Sequence, residues 1–371
     1  MAAESLQPED RLRVLIAGGG TGGHVIPALA IARELVAQYN AEVRFLGTAR
    51  GLETRLVPAA GFPLELVRVG QLNHVSLRTR LRTLADLPLG LLACMRLLRH
   101  FRPHVVLGVG GYASGPAMLA AILTGTPRMA FEPNAVPGMV NRWVGPWVQV
   151  AAVNFAPTTR YFRNATVTGI PVRAEFFSLA PDASNGATNA APHLLIFGGS
   201  QGARVFNEIL PQIAPGLLAA IPGLTLLHQC GARHLESTQA AYMQSGADQN
   251  RWQVSEFLDD MPQRFAAASL VLCRSGASTV AELAAAAKPS LLIPFPQAAD
   301  DHQRHNAEVL VQAGAAALLP QSDMTAERLL EMLTTLLENP EGLAAMGHSA
   351  RALAHPDAAL QIARILKELA L

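Results

Sequence analysis

Gly18, Gly20 and Gly23 lie in the run GGGTGGH (18–24), between an apolar stretch, Arg13–Ala17, and a segment of helical spacing. A glycine turn between a strand and a helix offers backbone N–H groups at a helix N-terminus, a receptive place for phosphate. His24 stands in the first helical turn behind it. An imidazole there can cap or pack, and it can also act as a general base. The spacing satisfies the dinucleotide fingerprint, which also requires an acid at the end of the second strand to bind ribose. That position reads Phe45-Leu46-Gly47-Thr48, with no acid, so the anion-receptive loop stands without the argument for NAD.

Three more turns of the same kind follow. Gly108-Val109-Gly110-Gly111-Tyr112 comes after HVVL. Gly198-Gly199-Ser200-Gln201-Gly202-Ala203 follows HLLIF, with Ser200 adding a hydroxyl to the backbone donors. Arg274-Ser275-Gly276-Ala277-Ser278-Thr279 follows SLVLC, with Glu282 one turn further on. Four strand-to-helix loops predict a ligand cleft floored by helix N-termini from both halves of the chain. No D-x-D triplet occurs, and in Asp259-Asp260 and Asp300-Asp301 neighbouring side chains diverge on a regular element. Asp300, Asp301, His302 and His305 could be imagined as metal ligands, since His at i and i+3 share a helix face. Two acids at the positive end of a helix dipole account for the same residues more simply. No metal and no cofactor are therefore expected.

The elements that must position these loops alternate along the chain. Arg13–Ala17, Glu42–Leu46, His104–Leu107, Arg128–Phe131 and Val148–Val153 read as buried strands, with helical spacing over Pro27–Gln38 and Arg78–His100. Pro181–Pro192 (PDASNGATNAAP) is small and polar and reads as a surface excursion. The pattern resumes with His193–Phe197, Thr225–His228, Ser269–Cys273 and Ser290–Ile293. The expected class is α/β, two Rossmann-like doubly wound domains joined near Thr168–Phe177. Asp357–Leu371 reads as an amphipathic helix, and its periodicity leaves open which domain it covers.

Composition narrows the function. At 371 residues the chain is long enough for two domains; half its residues are hydrophobic and 15% are charged, against disorder or a coiled-coil rod. A net charge of +1 argues against a whole-molecule nucleic-acid binder. The three cysteines, Cys94, Cys230 and Cys273, form no metal spacing and read as thiols of a reducing compartment. The opening MAAESLQPEDR does not read as a signal peptide, and Pro103–Pro127 contains too many turn residues for a membrane span. Charge is nevertheless segregated. From Leu66 to Phe131 the only acid is Asp86, against Arg68, Arg78, Arg80, Arg82, Arg96, Arg99, Arg102 and Arg128, with leucines throughout. A basic, leucine-rich region at 72–102 reads as a face for an anionic membrane or as an ordinary helix with a solvated arginine side. The aliphatic spacing disfavours nucleic acid.

These motifs together resemble the MurG family of UDP-GlcNAc transferases that complete lipid II in peptidoglycan synthesis. The matching stretches are GGGTGGHVIPALAIA (18–32), VLGVGGYASGPAMLAA (106–121), FEPNAVPGMVNR (131–142), TGIPVR (168–173), FGGSQGARVFN (197–207), EFLDDM (256–261), CRSGASTVAELAAA (273–286) and PFPQAADDHQRHNA (294–307). They run in order over nearly the whole chain. Pro133 stands where the family usually has Gln, and Ile170 where it commonly has Asn.

The resemblance implies a GT-B fold. Residues 1–172 would form an acceptor-binding, membrane-facing domain, to which a helix at about 355–371 crosses back, and residues 173–354 a UDP-GlcNAc-binding domain. It implies that the Leu258 backbone meets uracil and that Glu282 accepts from the ribose diol. Ser200, Arg173 and the helix start Ala277, Ser278, Thr279, with Val280 and Ala281 behind it, would stabilise the phosphates. Asn134 and Gln303 would hold sugar hydroxyls. The Thr21, Gly22 and Gly23 backbone would complete the site, with His24 as candidate base for the muramyl C4 hydroxyl. The implied partners are UDP-GlcNAc, the lipid I acceptor and the cytoplasmic face of the cell membrane, met peripherally. The implied activity is an inverting, metal-independent transfer. A non-hydrolysing UDP-GlcNAc 2-epimerase shares the architecture and the donor and is the alternative. A dehydrogenase lacks the ribose acid, and a membrane scaffold leaves four glycine loops without a role.

Overall fold

The computed structural model describes residues 11–67, 77–179 and 191–371, without the side chains of 77–86. The polar excursion at 181–192 lies almost wholly outside the described residues, as do the side chains of Arg68, Leu72, Val75, Arg78, Arg80, Leu81 and Arg82. The chain divides into two compact units. One runs through Pro171 and includes Asp357–Leu371, and the other is Val172–Pro356.

The first unit holds seven parallel strands: β1 (Arg13–Ala17), β2 (Glu42–Gly47), β3 (Leu64–Leu66), β4 (Val105–Gly108), β5 (Arg128–Glu132), β6 (Val150–Val153) and β7 (Ala165–Val167). Their order is β3-β2-β1-β4-β5-β6-β7. Helices α1 (Gly22–Tyr39), α2 (Glu53–Ala59), α3 (Leu77–Phe101), α4 (Ser114–Thr124) and α5 (Met139–Val144) connect them. Val14, Ile16, Val105, Val106 and Leu107 are fully buried, as befits strands covered on both faces.

The second unit opens with a single turn, α6 (Ala174–Phe177), and has six parallel strands: β8 (His193–Phe197), β9 (Thr225–Gln229), β10 (Trp252–Ser255), β11 (Leu270–Cys273), β12 (Ser290–Leu292) and β13 (Ala317–Leu318). Their order is β10-β9-β8-β11-β12-β13. The helices are α7 (Arg204–Ala220), α8 (Leu235–Ser245), α9 (Met261–Ala267), α10 (Ala277–Ala285), α11 (His302–Gln312), α12 (Ala326–Leu337) and α13 (Pro340–Arg351). Phe206, Leu210, Ile213 and Leu217 line one side of α7 and meet Leu329 and Leu333 of α12 in the core. The last helix, α14 (Ala358–Leu369), buries Ala358, Ile362, Ala363 and Leu366 and packs against α1 of the first unit.

All nine strands read from the sequence are present, with ends shifted by up to two residues. The four that were not, β3, β7, β10 and β13, are the outermost strands of the two sheets. Edge strands are short and half-exposed, so they carry no buried apolar run to be read. Helix α1 begins five residues before the spacing suggested, because Gly22 and Gly23 form its first turn. His104 sits just before β4, where its Nδ1 accepts the Arg13 N–H at 3.2 Å.

Candidate functional site

In an open parallel sheet, ligand loops gather at the carboxyl ends of the strands where the order reverses. In the first unit that reversal falls between β1 and β4, the two strands that feed the first two glycine loops. The loops are pressed together: a side chain on Gly18 would strike the Gly110 carbonyl, and one on Gly111 the Gly19 carbonyl. Gly18, Gly20, Gly110 and Gly111 all have positive φ, so glycine is required here for conformation as well as space.

Thr21 is the N-cap of α1 and Gly22, Gly23 and His24 are its first three residues. His24 Nδ1 lies 3.3 Å from Thr21 Oγ1. The other ring nitrogen, Nε2, is 3.0 Å from the point where a side chain on Gly110 would begin. The imidazole therefore spans the two glycine loops.

A buried carboxylate, absent from the sequence reading, organises each end of this edge. Glu53, at the start of α2, is 1% exposed. Its Oε2 accepts from Gly20 N–H at 2.8 Å, and its Oε1 accepts from the Thr48 N–H at 2.9 Å and the Thr48 hydroxyl at 3.0 Å. Burial pushes this carboxyl up, but the donated bonds outweigh it and leave the group below its ordinary range. Glu132 ends β5 and accepts four bonds of 2.9–3.1 Å, from the Asn134 main chain and side chain, the Gly138 main chain and the Asn141 side chain. Burial pushes it up, and these donors only partly pull it back, so the carboxyl stays above its ordinary range. Asn134 is thus held by its own amide nitrogen against Glu132, and Pro133 is accommodated in the turn between them.

In the second unit the reversal falls between β8 and β11, the strands that feed the other two glycine loops. A cavity of about 480 Å³ opens there, lined among others by Gly198, Gly202, Arg274, Phe295, Gln303 and Gln321. Arg274 was not singled out from the sequence. Its guanidinium donates to the Ile293 and Pro294 carbonyls, both at 3.0 Å, and to Gln321 Oε1 at 2.7 Å. It also lies over the rings of Phe206 and Phe295. Burial lowers its pKa to about 10, so it stays charged at neutral pH. Gln303 is anchored beside it: its Oε1 accepts from Phe295 N–H at 3.0 Å and its carbonyl accepts from the Ser275 hydroxyl at 2.7 Å.

Helix α10 starts at Ala277 behind Gly276. Ser278 Oγ is buried without a partner, Thr279 and Ala281 are half-buried, and Val280 is in the core. Glu282, on the next turn, is half-buried. Burial raises its pKa to about 7, against the attraction of Arg173. Arg173 precedes α6 and stacks over Phe176 at 5.0 Å. Ser200 is exposed on the loop after β8. Leu258 follows the outermost strand β10, away from the reversal, and is fixed by a buried side chain between exposed Phe257 and Asp259.

The acidic and histidine run at the start of α11 divides among separate contacts. Asp300 and Asp301 stand at the N-terminal end of the helix, both with positive φ and Asp301 as its N-cap, 3.7 Å from Arg304. His302 Nδ1 meets the Ala299 carbonyl at 2.7 Å, and His305 Nδ1 pairs with Glu308 at 3.0 Å. Among the described residues no group of three or more His, Cys, Asp or Glu side chains converges.

Residues 14–153 match the N-terminal domain of glycosyltransferase family 28, and residues 193–362 match the C-terminal domain of glycosyltransferase family 28. Over its full length the chain is 43% identical to the UDP-N-acetylglucosamine–N-acetylmuramyl-(pentapeptide) pyrophosphoryl-undecaprenol N-acetylglucosamine transferase of Solibacter usitatus, spanning 99% of that protein. The crystal structure of Acinetobacter baumannii MurG superposes with a TM-score of 0.78 at 33% identity, covering 96% of this chain and 99% of that one. A putative UDP-N-acetylglucosamine 2-epimerase from Listeria monocytogenes, at 15% identity and a TM-score of 0.68 over 96% of each chain, shares the fold. With both domain matches in order and a full-length relative well above 30% identity, this chain belongs to glycosyltransferase family 28 and, within it, to the MurG family.

Proposed function

We propose that the chain transfers N-acetylglucosamine from UDP-GlcNAc to the C4 hydroxyl of the muramyl sugar of lipid I, forming lipid II. The observation that carries this assignment is the unlike use of two similar switch points. In the second unit an acid on α10, Glu282, stands one turn behind the helix start with Arg173 in electrostatic reach, an arrangement that suits a ribose and its phosphates. In the first unit the equivalent helix, α4 behind β4, has the sequence SGPAMLAAILT and carries no acid. The nucleotide sugar therefore belongs to the second unit, and the acceptor to the first.

The donor is held by the Leu258 main chain at uracil, by Glu282 at the ribose diol, and by Ser200, Arg173 and the start of α10 at the diphosphate. Gln303 meets the sugar through its amide nitrogen, and Asn134 meets a sugar hydroxyl from the first unit. The acceptor C4 oxygen attacks the anomeric carbon from the face opposite UDP, and His24 takes the hydroxyl proton. The bond from C1 to the β-phosphate oxygen breaks, UDP leaves and the configuration inverts. Helix dipoles and Arg173 offset the charge on the departing diphosphate without a metal ion.

The acceptor carries a lipid, so the first unit must reach a bilayer. No helix among the described residues is long and apolar enough to cross one. On the described part of α3, Leu89 and Leu92 are exposed beside exposed Arg96 and Arg99. That face supports peripheral docking on the anionic cytoplasmic leaflet.

Labelled UDP-GlcNAc, incubated with and without lipid I in the presence of EDTA, tests the whole reading. Label should enter the lipid fraction only when lipid I is added. Interconversion of the donor without acceptor would instead indicate the epimerase.

A further inference from the structure

We propose that Glu53 is a positioning residue for transfer: it sets the geometry of the first glycine loop, and through it the placement of Thr21 and His24 against the acceptor. The inference rests on the acceptor reading of the first unit. Gly20 is gripped from both sides by the start of α2, its N–H donating to Glu53 Oε2 at 2.8 Å and its carbonyl accepting from Leu52 N–H at 3.2 Å. The other carboxylate oxygen is held by the main chain and hydroxyl of Thr48, at the end of β2. Three glycines, Gly19, Gly47 and Gly51, leave the room this carboxylate fills, since a side chain at any of them would strike it. Gly20 itself has φ +98 and open space where a side chain would stand, and its main chain is tied by those two hydrogen bonds. Immediately after it come the N-cap Thr21 and, three residues on, His24 with its 3.3 Å contact to Thr21 Oγ1. A carboxylate ties β2, α2 and the loop into one unit, and the loop carries the residues that would meet the acceptor.

Glu53→Gln keeps the shape but must place an NH2 against either Gly20 N–H or Thr48. With its oxygen kept at Thr48, the repulsion falls on Gly20. In the full chain this variant should raise the acceptor KM or lower kcat by about tenfold, the scale of one lost charge-assisted bond. Donor KM and UDP affinity by calorimetry should stay within about twofold, because an interaction confined to the acceptor side moves only acceptor parameters. Hydrogen exchange in the peptide spanning 18–24 should quicken. Thr48→Val, which removes one bond to the same carboxylate without touching Gly20, should lower Tm yet leave the KM values alone. Should Glu53→Gln not fold, Gly20→Ala disturbs the loop independently, through its φ, and should reproduce the acceptor-specific loss. Unchanged acceptor parameters, a donor defect of equal size, or unchanged exchange over 18–24 would overturn the proposal. A wild-type protein that does not glycosylate lipid I overturns the functional reading instead, and the exchange measurement then decides the role of Glu53 by itself.

Discussion

His24 and Gly110 are neighbours across two loops: Nε2 of the imidazole lies 3.0 Å from where a Gly110 side chain would begin, while Nδ1 faces Thr21 Oγ1 at 3.3 Å. One nitrogen faces a hydroxyl and the other lies against the second glycine loop, so both loops fix the ring proposed as the general base. His24→Ala should lower kcat by about 10² to 10⁴ with donor affinity unchanged, the usual range for loss of a proton acceptor. Thr21→Val, which removes only the orienting hydroxyl, should have a smaller effect in the same direction. Steady-state kinetics on both substrates checks this. A His24→Ala enzyme with normal kcat would make the imidazole a packing residue.

Glu282 predicts a pH dependence for donor binding. Its carboxyl is raised to about 7 by burial, so a good part of the unliganded protein is protonated there at neutral pH, whereas a ribose diol needs the carboxylate. The apparent affinity for UDP-GlcNAc, whose diphosphate does not titrate near 7, should fall as pH drops through 7, reaching about a tenfold loss at pH 6. Glu282→Gln should flatten the profile and weaken binding by roughly 1–3 kcal/mol at pH 8. Stability runs the other way. The folded pKa lies above the unfolded one, so the wild type loses stability as pH rises from about 4.5 to 7. The Gln variant should therefore gain Tm relative to wild type at pH 8 and not at pH 4. Calorimetry and thermal melts at matched pH measure both effects.

Arg274 lines the cavity of the second unit. Three donated hydrogen bonds and two aromatic rings hold its guanidinium. Arg274→Ala leaves two carbonyls and Gln321 unsatisfied and should destabilise the second unit by about 3 kcal/mol. Arg274→Lys keeps the charge and loses the fork. It should shift the segment carrying Phe295 and Gln303, and raise the donor KM by about tenfold for a modest change in Tm. An unchanged donor KM in Arg274→Lys would confine this arginine to stability.

The nine interior strands were legible because most hold a short apolar run such as HLLIF or SLVLC, bounded by turn residues. The four edge strands were not, because Leu64–Leu66 or Ala317–Leu318 offers too few residues to define a period. The glycine loops were legible as loops, since positive φ at Gly18, Gly20, Gly110 and Gly199 selects glycine in the sequence itself. Their partners were hidden. Glu53 reads as one more acid in a helix start, and only the glycines at 19, 47 and 51 hint that something buried occupies their space. Glu132 had a faint signal, an acid ending the apolar strand RMAFE. Arg274 had none, since the carbonyls and Gln321 that hold it lie 19 to 47 residues away.

The basic face of α3 gives the last test. Lipid I presents its diphosphate and sugar at the bilayer surface, so an enzyme acting on it must dock there to reach them. Arg96 and Arg99 are exposed beside exposed Leu89 and Leu92, and each cation near an anionic surface contributes about 1 kcal/mol. Replacing both arginines with Glu reverses two charges and should weaken binding to vesicles rich in anionic lipid by at least tenfold, with less effect at high salt. The preceding Arg78, Arg80 and Arg82 continue the basic pattern in sequence, and adding them to the exchange should abolish the binding. UDP affinity should be untouched, since the donor is assigned to the second unit. Turnover of a short-chain, water-soluble acceptor should fall far less than turnover of the vesicle-bound one. Equal loss on both acceptors would place these arginines at the reacting sugar and end the membrane reading. No loss on either would make the face an ordinary solvated side of a helix.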